Sequence, residues 1–401
     1  MNRPKVRCID FRFALLTVGV AAAIAYGSLF PFHYRESGKD LRSLFETARL
    51  PLSPAETLAN LLFYVPFGLA GMAALRRLPA WICVGLVGLT GTVLCICMEW
   101  AQSHVASRTP DLWDACANAA GSFLGAFAGA IYRNPSAATI FGHTKRRPFV
   151  WLMLTLWLGY QVFPYWIPSS LRTGGVLALV FPLNYLAMIG FFQGCAVWLA
   201  VALMIEALVG VARSRIVLPC LSLVILTMPA TLFGFVLSPE RALGGVVAVL
   251  LWSGVVWRLP RRGAIVGALF VSQVILAALK PFHFLSEPGP FHLIPFASFL
   301  RDGRDTGAQS FLEKAFTYGA LLWVGARAGL RLGQLAFWAT ALVLALRVAQ
   351  IYLPGGSAEI SDVIITLALA GLMKLLNENP GEAQASGDAT NRYPMPRTVT
   401  K

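Results

Sequence analysis

Long apolar runs recur along the whole of this 401-residue chain, and they constrain its fold more than any other feature. Each is roughly 17 to 25 residues long, enough to cross a bilayer as a helix. They begin near residues 12, 56, 81, 111, 148, 183, 215, 241, 263, 311, 332 and 359, so the reading is an all-α, polytopic transmembrane protein with about twelve spans. A mean hydropathy of +0.66, with 57% apolar and 13% charged residues, excludes an ordinary soluble domain. The other architecture that spans membranes, a β-barrel, needs short segments of alternating polarity, and the chain has none.

The net charge of +14 points to topology rather than to nucleic acid, because the basic residues cluster in alternate connections. Arg3, Lys5 and Arg7 precede the first run; Arg76-Arg77, Lys145-Arg146-Arg147, Arg213, Arg215, Arg258, Arg261 and Arg262 lie in connections on the same side. The positive-inside rule then puts both termini in the cytoplasm. The N-terminus has the outline of a secretory signal, with Ala23-Ile24-Ala25 resembling a cleavage site. An uncleaved first helix is the better reading, since the apolar run continues to Phe30 and ends at Pro31. The seven cysteines sit mostly inside apolar runs without metal-ligand spacing, which implies neither a disulfide framework nor a metal site. No cofactor motif is present. Beyond residue 377 the chain is polar and reads as a disordered cytoplasmic tail.

Against this apolar background one polar stretch stands out, from Glu99 to Gly125. Glu99 and Gln102 share a face at the end of one helix; Arg108 stands in the following loop; Asp111, Asp114 and Asn118 fall at i, i+3 and i+7 on the next helix. Glu99 lies at the C-terminal end of its helix, where the dipole disfavours an anion, so it needs a cation, and Arg108 is the near candidate. Asp111 and Asp114 sit in a first turn, where unpaired N–H groups stabilise carboxylates without any catalytic role. Asn60, on the second helix, precedes Pro66-Phe67-Gly68, and Asn118, Ser122, Gly125 and Gly129 form a stripe of small residues that admits a close neighbour. Glu206 is the exceptional charge in the middle four runs, read either as a paired carboxylate or as a proton- or ion-coupling group.

The two ends of the chain resemble each other. Leu29-Phe30-Pro31-Phe32-His33 returns as Leu279-Lys280-Pro281-Phe282-His283. At a constant offset Gln102 meets Gln350, while Asp111, Asp114 and Asn118 meet Glu359, Asp362 and Thr366. Glu99 is matched by Arg347 and Arg108 by Gly356, a charge swap that keeps a pair possible with Glu359 or Asp362. The expected organisation is therefore a four-helix unit over 1–140, four further helices over 141–260, a degenerate copy of the first unit over 261–376, and the tail 377–401.

Asn60, Phe63, Pro66-Phe67-Gly68, Glu99, Gln102, Arg108, Asp111, Asp114, Asn118, Gly121 and Gly125, in that order and helix context, resemble the signature of VanZ-like membrane proteins over roughly 12–132. In the second copy His292-Leu293-Ile294-Pro295-Phe296 is similar to an element that follows the family's first helix, whereas Thr317-Tyr318-Gly319 departs from Pro-Phe-Gly. The resemblance implies a bacterial inner or plasma membrane protein of the cell envelope, of the teicoplanin-resistance type. Its implied partners are membrane lipids, lipid-linked glycans or glycopeptides, with no established reaction. The residues leave three functions open. The first is a non-enzymatic protein that binds amphiphiles, and the second a transporter or flippase of an envelope precursor. The third is an intramembrane hydrolase or transferase using Glu99, Asp111 or Asp114 with His104. No nucleophile motif or phosphate loop supports the third. Oligomeric state is not encoded in any of these features.

Overall fold

The computed structural model describes residues 9–35, 54–108, 111–134, 147–162, 184–228, 238–301, 304–355 and 358–376. Outside them lie the tail from 377, the loop after Arg35 and Gly356. The described residues form thirteen α-helices and no named strand. They are α1 (Phe11–Leu29), α2 (Pro54–Ala74), α3 (Ala80–Gln102), α4 (Leu112–Arg133), α5 (Pro148–Val162), α6 (Tyr185–Val209) and α7 (Val211–Met228). There follow α8 (Pro239–Gly254), α9 (Arg262–Ala278), α10 (Ala297–Arg301), α11 (Arg304–Arg327), α12 (Leu332–Gln350) and α13 (Ser361–Leu375).

Six helices are long and apolar enough to cross a membrane: α1, α2 from Glu56, α3, α4, α6 and α12. They make this a multi-pass membrane protein. The other expected spans are shorter or more polar. The apolar α9 has 17 residues, α8 has 16, and α5 and α13 have 15 each. The 24-residue α11 is long enough but carries Arg304, Asp305, Glu313, Lys314 and Arg327.

The chain forms two compact units, one of Met1–Lys145 with Leu300–Arg304, the other of Arg146–Phe299 with Asp305–Lys401. In the first, α2 and α4 approach backbone to backbone. A methyl group added to Gly121 would strike the carbonyl oxygen of Leu61, one on Gly125 that of Val65, and one on Gly68 that of Ser122. Apolar burial drives little helix association in lipid, so such close contact supplies the dispersion attraction that does. Pro66 lies within the unbroken α2. Around this crossing pack Ile24, Tyr64, Phe67, Val87, Cys95 and Ala126.

The second unit is built around α6. Every residue from Trp198 to Glu206 is buried, as expected of a helix apolar on all sides. Its crossing with α8 again depends on glycine: a methyl on Gly194 would meet the backbone of Arg241, and one on Gly244 the carbonyl oxygen of Phe191. Glu206, at the far end of α6, is held by both oxygens on Arg262, at 2.9 Å each, and by Arg327 at 3.5 Å. Its partners are thus remote in sequence, and the nearby Arg215 instead stacks 4.5 Å over the ring of Trp257. A doubly hydrogen-bonded carboxylate between two guanidinium groups reads as a paired structural charge.

Candidate functional site

In the first unit the polar residues gather where α3 ends and α4 begins. Asp111 is the N-cap of α4, its Oδ1 accepting from the Trp113 backbone N–H at 2.9 Å. The Glu99 carboxylate, only 2% exposed, crosses to the same helix start, where its Oε2 accepts from the Asp111 N–H at 3.1 Å. An anion disfavoured by the dipole of its own helix is therefore stabilised by that of the next one. Arg108 reaches the C-terminal end of α1, donating to the carbonyls of Phe30 at 3.2 Å and Gly27 at 3.3 Å. Those carbonyls lack helical partners, and a guanidinium complements them in both charge and hydrogen bonding.

Asn60 on α2 donates through Nδ2 to Oδ1 of Asp114 on α4. Asn118, one turn further along α4, is buried, and its side-chain Oδ1 has no hydrogen-bond partner among the described residues. Tyr64, fully buried on α2, likewise has an unpartnered hydroxyl, and it lies in the field of Glu99 and Cys95. Gln102 is half-buried at the end of α3. His104 is engaged locally, with Nδ1 3.1 Å from Ser103 Oγ and its ring edge-on to Trp100. Among the described residues no group of three His, Cys, Asp or Glu side chains is arranged to hold a metal ion.

Residues 13–133 match the family model described as VanZ/LLP1. The first four helices are therefore similar to the VanZ/LLP1 family, and that stretch is called the VanZ-like unit below. No curated protein and no solved structure matches the chain. The match ends at the last residue of α4, so the VanZ-like unit holds Asn60, Glu99, Gln102, Arg108, Asp111, Asp114 and Asn118 together.

Outside the VanZ-like unit, the second set of polar residues has its own geometry. Asp362, completely buried on α13, contacts Arg347 Nε at 2.7 Å and Lys314 Nζ at 3.1 Å, and accepts from the Tyr318 hydroxyl at 2.7 Å. Arg347 also donates to the Tyr318 hydroxyl, at 3.1 Å, and to Gln350 Oε1. Gln350 in turn donates to the Ala278 carbonyl at 2.8 Å. Glu359 accepts from the Ser298 N–H at 3.0 Å and from the Ser361 hydroxyl at 2.9 Å. Lys314 and Tyr318 were not singled out from the sequence as site residues. Their signal was the i, i+4 spacing of Lys314 and Tyr318 on α11, which puts a lysine one turn before a tyrosine on the same face.

Proposed function

We propose that the chain is a VanZ-type protein of the bacterial inner membrane whose VanZ-like unit binds the polar head of an envelope amphiphile without turning it over. The amphiphile is a membrane lipid, a lipid-linked glycan or a lipoglycopeptide such as teicoplanin. The observation that carries this reading is two buried atoms without a hydrogen-bond partner among the described residues, Asn118 Oδ1 and the Tyr64 hydroxyl, in the four-helix apolar unit that also buries Glu99. Leaving such atoms unsatisfied costs about 1 to 3 kcal/mol each, and a polar guest or water that reaches them recovers it. A binding role asks for such groups; an acid/base role asks in addition for a nucleophile or an activated water.

The reading includes about twelve spans, both termini in the cytoplasm and a second, diverged VanZ-like unit near the C-terminus. Duplication draws support from paired backbone details. Phe32 and Phe282 both have positive φ, 64° and 63°. Their N–H groups bond Leu29 and Leu279 carbonyls at 2.9 and 2.8 Å, and Arg35 to His104 is matched by Leu285 to Tyr352, each 2.7 Å.

The test compares teicoplanin susceptibility of cells carrying wild type, Glu99→Gln and Asp114→Asn, with the membrane abundance of each. Resistance that falls in the variants while abundance holds supports a binding role for the cluster. Resistance that falls only in step with abundance makes the cluster a fold element. A wild type that confers none removes the glycopeptide from the proposal and leaves lipids, to be identified by copurification.

A further inference from the structure

The second unit contains a polar cavity of about 570 Å³ among α5, α6, α8, α9 and α11. A smaller one of about 190 Å³ shares Gln193, Gln273, Glu313 and Thr317 with it and extends toward Arg347. Charged side chains line a space inside an apolar bundle, and most are already compensated. Arg241 faces Glu313 at 3.7 Å. Lys314 and Arg347 are bound to Asp362, and Lys314 also lies 4.8 Å over the ring of Phe299.

Lys280 is the exception. It follows α9 directly and is half-buried; among the described residues it has no carboxylate within 4 Å, and its Nζ donates at 3.1 Å to a neutral group, Gln193 Oε1. That bond leaves the Gln193 NH₂ free to donate. Independently, Gln273, 4% exposed, lines both cavities. An ammonium with no ion pair in contact, in the repulsive field of Arg241 and the lesser attractive one of Glu240, lines one space with two side-chain amides, an arrangement that an oxyanion would complete.

We infer that this cavity is a binding site for a singly charged, hydroxyl-bearing phosphodiester. Its phosphate is held by Lys280, Gln193 and Gln273, and its hydroxyls by Glu240 and Glu313. One negative charge gives Lys280 the contact partner it lacks and offsets the repulsion from Arg241. Glu240 and Glu313, which line the same cavity, repel a second charge but accept hydrogen bonds from hydroxyl groups. The volume exceeds that of a bare phosphate several times over and takes a glycerol or sugar substituent. The source is either a lipid headgroup entering from the bilayer or a soluble phosphodiester. This site lies wholly within the second unit and owes nothing to the polar cluster of the VanZ-like unit.

The test is native mass spectrometry on the full-length protein in detergent, titrated with dioleoyl phosphatidylglycerol, dioleoyl phosphatidylcholine and the free headgroup glycerophosphoglycerol. Saturable binding of phosphatidylglycerol, about tenfold tighter than phosphatidylcholine, is expected. Lys280→Gln should weaken it by about tenfold, Gln273→Leu by several-fold, and Lys280→Arg should keep most of it. Competition by glycerophosphoglycerol at matching concentration identifies a soluble source; failure to compete identifies the lipid. Melting temperatures measured without ligand separate binding from folding. Wild-type affinity in a Lys280→Gln protein of unchanged melting temperature overturns the inference, as does absence of binding of both the lipid and the free headgroup to wild type. If Lys280→Gln does not fold, Gln273→Leu decides: lost affinity at unchanged melting temperature supports the site, and retained affinity overturns it.

Discussion

Asp362 and Glu99 occupy corresponding stretches of sequence, and each is a carboxylate out of water. Glu99 accepts a backbone N–H at a helix start, and Asp362 contacts two cations and accepts from a phenol. The two cations make Asp362 costly to lose. Asp362→Asn leaves Lys314 and Arg347 buried without their counter-charge, and removing one partner of such a network costs about 3 to 5 kcal/mol. The expected outcome is a large fall in the unfolding midpoint of the purified protein, followed by circular dichroism. Asp111→Ala removes only an N-cap, worth about 1 kcal/mol, and should lower that midpoint modestly. Equal effects of the two substitutions would contradict this ordering.

Among the helices, close approach through glycine is the recurrent device. Gly121 and Gly125 admit the α2 backbone, and Gly194 with Gly244 do the same for α6 and α8. Gly125→Leu has no free direction in which to place its side chain and should abolish accumulation of folded protein, read as monodisperse material by size-exclusion chromatography. Gly85 on α3 is the control, since a Cβ there meets nothing within 4 Å. Gly85→Ala should therefore be neutral or stabilising, by up to about 1 kcal/mol, because alanine loses less backbone freedom in a helix. A small-residue stripe in the sequence announced the α4 face; that it meets the Pro66-Phe67-Gly68 stretch of α2 could not be read, because a glycine does not name its neighbour.

For the molecule as a whole, the basic residues make a prediction that the helices alone do not. If both termini are cytoplasmic, green fluorescent protein fused to either end should fluoresce in whole cells, and alkaline phosphatase fused to either end should be inactive. A fluorescent N-terminal fusion with a dark C-terminal one would mean an odd number of spans. The compact units also divide the chain differently from the expected segments. The four middle helices and the later ones form one body, with α6 at its centre.

The membrane class, the all-helical architecture and the position of the VanZ-like polar cluster follow from the sequence by itself. Apolar length and helical periodicity are local quantities, and the distance from Glu99 to Asp114 is short along the chain. Which charges meet was decided by tertiary structure. Glu206 finds Arg262 and Arg327 rather than Arg213 or Arg215, and Arg347 finds Asp362 while Glu359 takes a backbone N–H and a serine. Lys280 reaches Gln193 across the unit. A side chain's partner depends on helix rotation and crossing, which glycine contacts and core packing set over long separations. The cavity around Lys280 and Gln273 arises only when those helices are assembled.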